Sequence, residues 1–257
     1  MSEARTGVAF DRTGFAEHVR DDPAGALAAL RVAARNGDVE AQALHAQAHC
    51  EGRGVPRDMA EGLYWYTLAA NSGHIHAMNM VGRCHELGQG TPANAELAAA
   101  WYRKAAAWGL DWGMYNLANL LATGRGVREN RAEAFALYRQ AAVLGHAKSM
   151  NLVGRHYEEG WEVAPDPAAA ADWYRRSAEA GDFRGQISHA AVLTQKGDID
   201  GAAQWLRCAA ETARPDLLCR VADDLEDSPH ESLREVAAHL RERARGSARV
   251  EPPQPGG

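Results

Sequence analysis

Residues 58–73, DMAEGLYWYTLAANSG, return as NAELAAAWYRKAAAWG at 94–109, NRAEAFALYRQAAVLG at 130–145 and DPAAAADWYRRSAEAG at 166–181. The interval is 36 residues each time, and Gly37, Gly73, Gly109, Gly145 and Gly181 keep the same beat. In every copy an Asp or Asn (Asp22, Asp58, Asn94, Asn130, Asp166) stands ahead of a bulky slot held by Trp65, Trp101, Leu137 and Trp173. A tyrosine follows that slot (Tyr66, Tyr102, Tyr138, Tyr174), then a pair of small residues, then the glycine. A shortened copy runs from Asp198 through Trp205 to Ala209-Ala210.

This order reads as one helix per copy. Asp and Asn accept hydrogen bonds from the free N–H groups of a first helical turn, so they are the expected N-caps. Asp58 with Glu61 and Asn130 with Glu133 have capping-box spacing. Pro23 and Pro167 sit just past their caps, where a missing N–H costs nothing. The glycine ends the helix in the left-handed conformation that a Cβ disfavours. We call this helix B. After the glycine, small or apolar residues recur at +4, +5, +8, +9 and often +12, which is helical spacing and predicts a helix A. Met78, Val81 and Gly82 show it, as do Met150, Val153, Gly154 and Tyr157. Gly-rich turns such as Gly52-Arg53-Gly54-Val55 and Gly124-Arg125-Gly126-Val127 return the chain. The unit is helix, turn, helix, and the chain is predicted to be all-α.

The combined pattern, G…A-x-x-x-L-G-x-x-Y-x-x-G-x-G-V…D…A-x-x-W-Y-x-x-A-A-x-x-G, resembles the Sel-one-like repeat family, a relative of the tetratricopeptide repeats. The resemblance spans Asp22 to Ala213. It implies a right-handed α-solenoid of helix-turn-helix repeats with a 36-residue period. It also implies an adaptor, scaffold or regulator that binds other proteins. The chain departs from the family pattern in places. The helix-A tyrosine slot holds His49, His85, Leu121 and Leu193, with Tyr157 alone conforming, and Glu162 replaces a loop glycine. The lysine expected early in helix B is Glu61, Leu97, Glu133 or Ala169.

Composition fits a distributed core: 46% of the 257 residues are hydrophobic, and a solenoid buries them between neighbouring repeats. With a formal charge of −6 and no basic run, nucleic acid is not an expected partner. No stretch approaches the ~18–20 apolar residues of a membrane span, and Met1 to Asp11 has no apolar signal segment. The expected location is the bacterial cytoplasm. Cys50, Cys84, Cys208 and Cys219 occupy different slots of the unit, unlike the regular pairs of some secreted relatives. Reduced thiols, mostly packed as small apolar groups, are expected. Residues 1–12 are expected to be flexible and 13–245 to form one solenoid domain, opening with a short helix near Thr13–Arg20. Leu233, Val236, Ala237 and Leu240 make the apolar stripe of a closing cap helix ended by Gly246, and 246–257 form a Pro/Gly tail.

A stack offers a surface rather than a single pocket. Helix A should leave +3, +6, +10 and +13 on one open face, which by analogy with related solenoids is concave. That face carries His76, Asn79 and Arg83, then Trp112, Tyr115 and Asn119, then Lys148, Asn151 and Arg155. Asn can bond a peptide through donor and acceptor, Arg can fork onto a carboxylate, and the aromatics supply anchor area. The expected partner is a protein or peptide, extended or acidic, and no cofactor is expected. Arg83/Glu86 and Arg155/Glu158 could instead be i,i+3 ion pairs of ordinary helix surface. Two other classes stay open. His45, His49 and His85 supply three nitrogens toward a tetrahedral metal. Some relatives are linked to β-lactams, which by analogy alone raises a hydrolase, but no Ser-His-Asp order, G-x-S-x-G elbow, phosphate loop or H-E-x-x-H motif is present.

Overall fold

In each copy the period glycine has φ between 84° and 101°. The residue after it donates its N–H back to a carbonyl near the end of helix B. The bonds are Asp38 to Ala33, His74 to Ala69, Leu110 to Ala105, His146 to Ala141 and Asp182 to Ser177, at 3.0–3.1 Å. This left-handed closure satisfies carbonyls that a helix end would otherwise orphan. It turns the chain straight into helix A.

The computed structural model describes residues 23–248. These contain thirteen helices and, among the described residues, no strand. In order they are α1 (Pro23–Arg35), α2 (Val39–Glu51), α3 (Met59–Asn71), α4 (Ile75–Leu87), α5 (Ala95–Ala107), α6 (Asp111–Thr123) and α7 (Arg131–Val143). They continue as α8 (Ala147–Glu159), α9 (Pro167–Glu179), α10 (Phe183–Gln195), α11 (Ile199–Ala210), α12 (Pro215–Glu226) and α13 (Glu231–Ala248). Even-numbered helices are helix A and odd-numbered ones helix B, so the all-α helix-turn-helix array is as the periodicity requires. The helix anticipated near Thr13–Arg20, the Asp22 cap and the end of the Pro/Gly tail lie outside the described residues. The chain divides after Ala134 into two compact units.

In the first unit α2, α3, α4, α5 and α6 each pack on the helix before. Its core joins Leu30, Trp65, Tyr66, Met78 and Val81 to a lining of alanines. In the second, α8 packs on α9 and also on α10, the next helix A, while α11 packs on α13. Its core includes Leu206, Leu218 and Val221 together with Leu233, Val236, Ala237 and Leu240. Those last four are at most 2% exposed, so the stripe is buried, and its helix packs on α11 and α12. The helix that carries it runs through Gly246 to Ala248, and that glycine does not end it.

One local expectation is corrected. The capping boxes are incomplete, because the backbone N–H that the Glu should reach is already taken. Asp58, Asn94, Asn130 and Asp166 donate theirs to the carbonyls of His49, His85, Leu121 and Tyr157 at 2.7–2.9 Å. Glu61 instead accepts from Trp65 Nε1 at 2.7 Å, and Glu133 meets the Asn130 side-chain amide at 2.9 Å. The bulky slot is also less buried than the tyrosine slot. Tyr66, Tyr102, Tyr138 and Tyr174 are all buried, whereas Trp101 and Trp173 are half-buried. These two tryptophans carry the Lys104 ammonium and the Arg176 guanidinium 4.0 Å over their rings. The cations cover the apolar faces that packing leaves open.

Candidate functional site

The helix-A face can be placed residue by residue. On α4, His76 and Arg83 are exposed. On α6, Trp112 keeps 42% of its surface exposed. Its ring meets Tyr115 edge to face at 6.1 Å; Tyr115 and Asn119 are half-buried. On α8, Lys148 is half-buried and Arg155 is exposed. The Arg155 guanidinium lies 5.2 Å from the centre of the Trp161 ring.

The two asparagines differ from this set. Asn79 and Asn151 are buried, at 9% and 4% exposure, not on an open face. Asn79 Oδ1 accepts a hydrogen bond from Asn116 Nδ2 at 2.9 Å, and Asn151 Oδ1 accepts one from Ser188 Oγ at 3.1 Å. Both donors lie 37 residues downstream, one period plus one residue, on the next helix A. The matching phase of the two asparagines therefore reflects a bond between successive repeats. A buried amide oxygen without such a partner would cost about 1–3 kcal/mol.

The acids of the face are engaged in the same way. Glu86 accepts from the Tyr102 hydroxyl and from Arg125, both at 2.7 Å, rather than pairing with Arg83. Glu158 accepts from the Tyr174 hydroxyl at 2.5 Å, and Arg155 turns to Trp161. Burial first, and then the bond to the carboxylate, holds both tyrosine hydroxyls protonated far above the ordinary phenol range. Glu162, the acid in a loop-glycine slot, takes φ 54°, and its carboxylate lies 2.9 Å from His156 Nδ1. The His156 ring also stacks on Phe135 at 4.6 Å.

His45, His49 and His85 do not converge on one point. No group of three or more His, Cys, Asp or Glu among the described residues is placed to hold a metal ion. His45 points into the core, with its ring edge-on to His49 at 4.7 Å and to Trp65 at 5.1 Å. Packing against an indole, not convergence on a point, sets its orientation. Burial lowers the pKa of His45, with a smaller push from His49, and burial lowers those of His85 and His189. Near pH 6.5, the ordinary histidine value, the unfolded chain therefore binds more protons than the folded one, so stability rises with pH there. The melting temperature should fall as pH drops from about 7.5 to 5.5, and His45→Gln should flatten the slope. A melting temperature that is level or rises on acidification contradicts these burial assignments.

All four thiols are free, but only Cys84 is buried; Cys50 is half-buried and Cys208 and Cys219 are exposed. Half of the expected packing is thus absent. Burial raises the Cys84 pKa to about 11 and also raises that of Cys50, which makes both poor nucleophiles.

Two further arrangements were not read from sequence. Helix A has its own cap slot just after the period glycine, filled by Asp38, His74, His146 and Asp182, whose side chains accept N–H groups of the first turn. The constant +1 position was the available signal. A cleft also opens between α2 and α4, lined by Glu40, Leu44, Glu51, Tyr66 and Met80 among others. No helix of the described residues is long and apolar enough to cross a membrane.

Comparison with known proteins supports the repeat assignment. The chain is 26% identical to a Sel1 repeat protein from Oxalobacter formigenes, over 92% of this chain and 100% of that one, with a TM-score of 0.74. It is 27% identical to a protective antigen present in uropathogenic Escherichia coli strains that displays the SLR fold, with a TM-score of 0.72. That alignment covers 92% of this chain but 53% of the antigen, so the chain spans about half the antigen's length. An immunity protein from Pseudomonas aeruginosa shares the fold at 15% identity and a TM-score of 0.53, over 84% of this chain and 89% of that one. No curated protein matches the chain. The Sel1 repeat pattern matches residues 39–74, 75–109, 113–146, 147–182 and 193–211. With successive helix pairs in phase along most of its described length, the chain belongs to the Sel1 repeat family.

Proposed function

We propose that this Sel1 repeat protein is a non-catalytic interaction module, an adaptor, scaffold or regulator, that holds a protein or peptide partner on its helix-A face. One observation carries most weight. Trp112 stands 42% exposed on that face beside Tyr115, while neighbouring polar groups are spent on locking repeats together. A tryptophan held ready on a stiff helix anchors a partner with little loss of side-chain freedom. Exposed Arg83, in the same unit as Trp112, would fork onto a carboxylate, so the segment is acidic where it meets that residue. Nucleic acid and lipid fit less well, because the chain carries a formal charge of −6. We also place the protein in the bacterial cytoplasm, where its four free thiols would stay reduced.

The test is partner capture by the purified chain, followed by mass spectrometry. The double substitution Trp112→Ala/Tyr115→Ala should weaken capture by about ten-fold or more with unchanged helical circular dichroism. Unchanged capture would remove these aromatics from the site.

A further inference from the structure

The loop between α6 and α7 is tied down at three points. The Arg125 guanidinium donates to Glu86 at 2.7 Å, a Cβ on Gly126 would clash with the Ala95 backbone, and the Asn130 N–H donates to the Leu121 carbonyl at 2.9 Å. Between this loop and α5, within the first unit, lies a cleft of about 570 Å³. Arg103 of α5 and Arg128 of the loop line it, with Glu129, Asn130 and Glu133 beside them.

The polar groups of this lining are unequally engaged. Glu129 pairs with Arg131 at 2.7 Å. Glu133 accepts from the Asn130 side-chain amide at 2.9 Å, and its own N–H donates to Asn130 Oδ1 at 3.2 Å. Arg103 and Arg128 are exposed, and among the described residues neither has a hydrogen-bond or ion-pair partner. With Arg131 counted, three arginines stand against two glutamates, so positive charge is in excess. The repeat itself does not require this pair. The same two slots hold Thr67 and Pro92 one period earlier, and Arg139 and Ala164 one period later.

We propose that this cleft binds a small molecule bearing a phosphate monoester, its phosphoryl oxygens shared between Arg103 and Arg128. A guanidinium presents a planar fork of N–H donors. A terminal phosphate presents three acceptor oxygens and a charge of about −1.5 to −2 near pH 7, enough for two forks. A lone carboxylate, with two oxygens, fills one. Small-molecule sites enclose roughly 300–1,000 Å³, so the cleft has room for the rest of the ester over Leu121 and Val127. Because the loop is already fixed, Arg128 is presented with little backbone ordering left to lose. The site is separate from the helix-A face, since neither Trp112 nor Tyr115 lines it.

The test is calorimetric titration of the full chain with glucose 6-phosphate, adenosine 5′-monophosphate and phosphoserine, beside inorganic phosphate and glutarate. At least one ester should bind with a Kd of about 1 mM or less, and inorganic phosphate and glutarate about ten-fold more weakly or not at all. Arg103→Gln/Arg128→Gln should weaken that ester about ten-fold or more, with circular dichroism and melting of the free protein unchanged. Arg139→Gln and Trp112→Ala/Tyr115→Ala should leave its binding unaltered. Failure of all three esters to bind, or equal binding by the double arginine variant, would overturn the proposal. Glutarate or inorganic phosphate as tight as the best ester would also overturn it, leaving a general anion site. So would a phosphoserine heptapeptide that binds more tightly than free phosphoserine, which would make a phosphorylated protein the occupant.

Discussion

Gly126→Ala should lower the unfolding free energy by about 2–4 kcal/mol, while Gly73→Ala should cost only about 1–2 kcal/mol. Both glycines have positive φ, +66° and +93°, so each substitution strains the backbone. They differ in surroundings. A Cβ on Gly126 would lie 2.2 Å from the carbonyl carbon of Ala95 and 2.5 Å from its oxygen, whereas one on Gly73 would meet nothing within 4 Å. Backbone cannot swing aside as a side-chain tip can, so the loop must move away from α5. Urea unfolding followed by far-UV circular dichroism separates the two contributions. Equal losses would show that the close approach of loop to helix carries no weight. The same slot one period later holds Glu162 at φ 54°, where the contact with His156 offsets part of the conformational cost.

Tyr102→Ala should be more damaging still, at about 3–5 kcal/mol. Tyr102 is fully buried, and a Cβ on Gly82 would come within 2.6 Å of its ring. The glycine is therefore the seat on which the ring rests. Its hydroxyl bonds Glu86 at 2.7 Å. Tyr102→Phe should lose about 1.5–3 kcal/mol, the range for a hydrogen bond to a charged group. Tyr64→Ala, at a site 55% exposed, should change stability by no more than about 0.5 kcal/mol. Thermal or urea denaturation of the three variants checks the order. A Tyr102→Ala protein as stable as Tyr64→Ala would contradict tyrosine packing as the link between helix A and helix B.

The period glycines, the Asp and Asn caps of helix B and the buried tyrosines were legible because each recurs in phase, and the apolar stripe of α13 because it follows helical spacing. The face of helix A was legible only in part. Arg83 and Trp112 are exposed as expected, but Asn79 and Asn151 are buried and bonded to the following helix A. The partners of Asn79 and Asn151 lie one period plus one residue away, so their pairing emerges only once neighbouring repeats are set side by side. The competing reading of ion pairs within one helix fails for a related reason: Tyr102, Arg125 and Tyr174 come from other elements and take the acids first. His74 and His146 cap helices although histidine is not a usual cap residue, and the acidic cleft exists only because α2 and α4 are adjacent.

The most direct test is to place a photocrosslinking amino acid singly at positions 76, 83 and 119 on helix A and at 64, 103 and 139 on helix B, then illuminate the chain with its cellular partners. The account predicts that the helix-A positions form adducts with one common protein and that the helix-B positions do not. Adducts concentrated at 64, 103 and 139, with none at 76, 83 or 119, would contradict it.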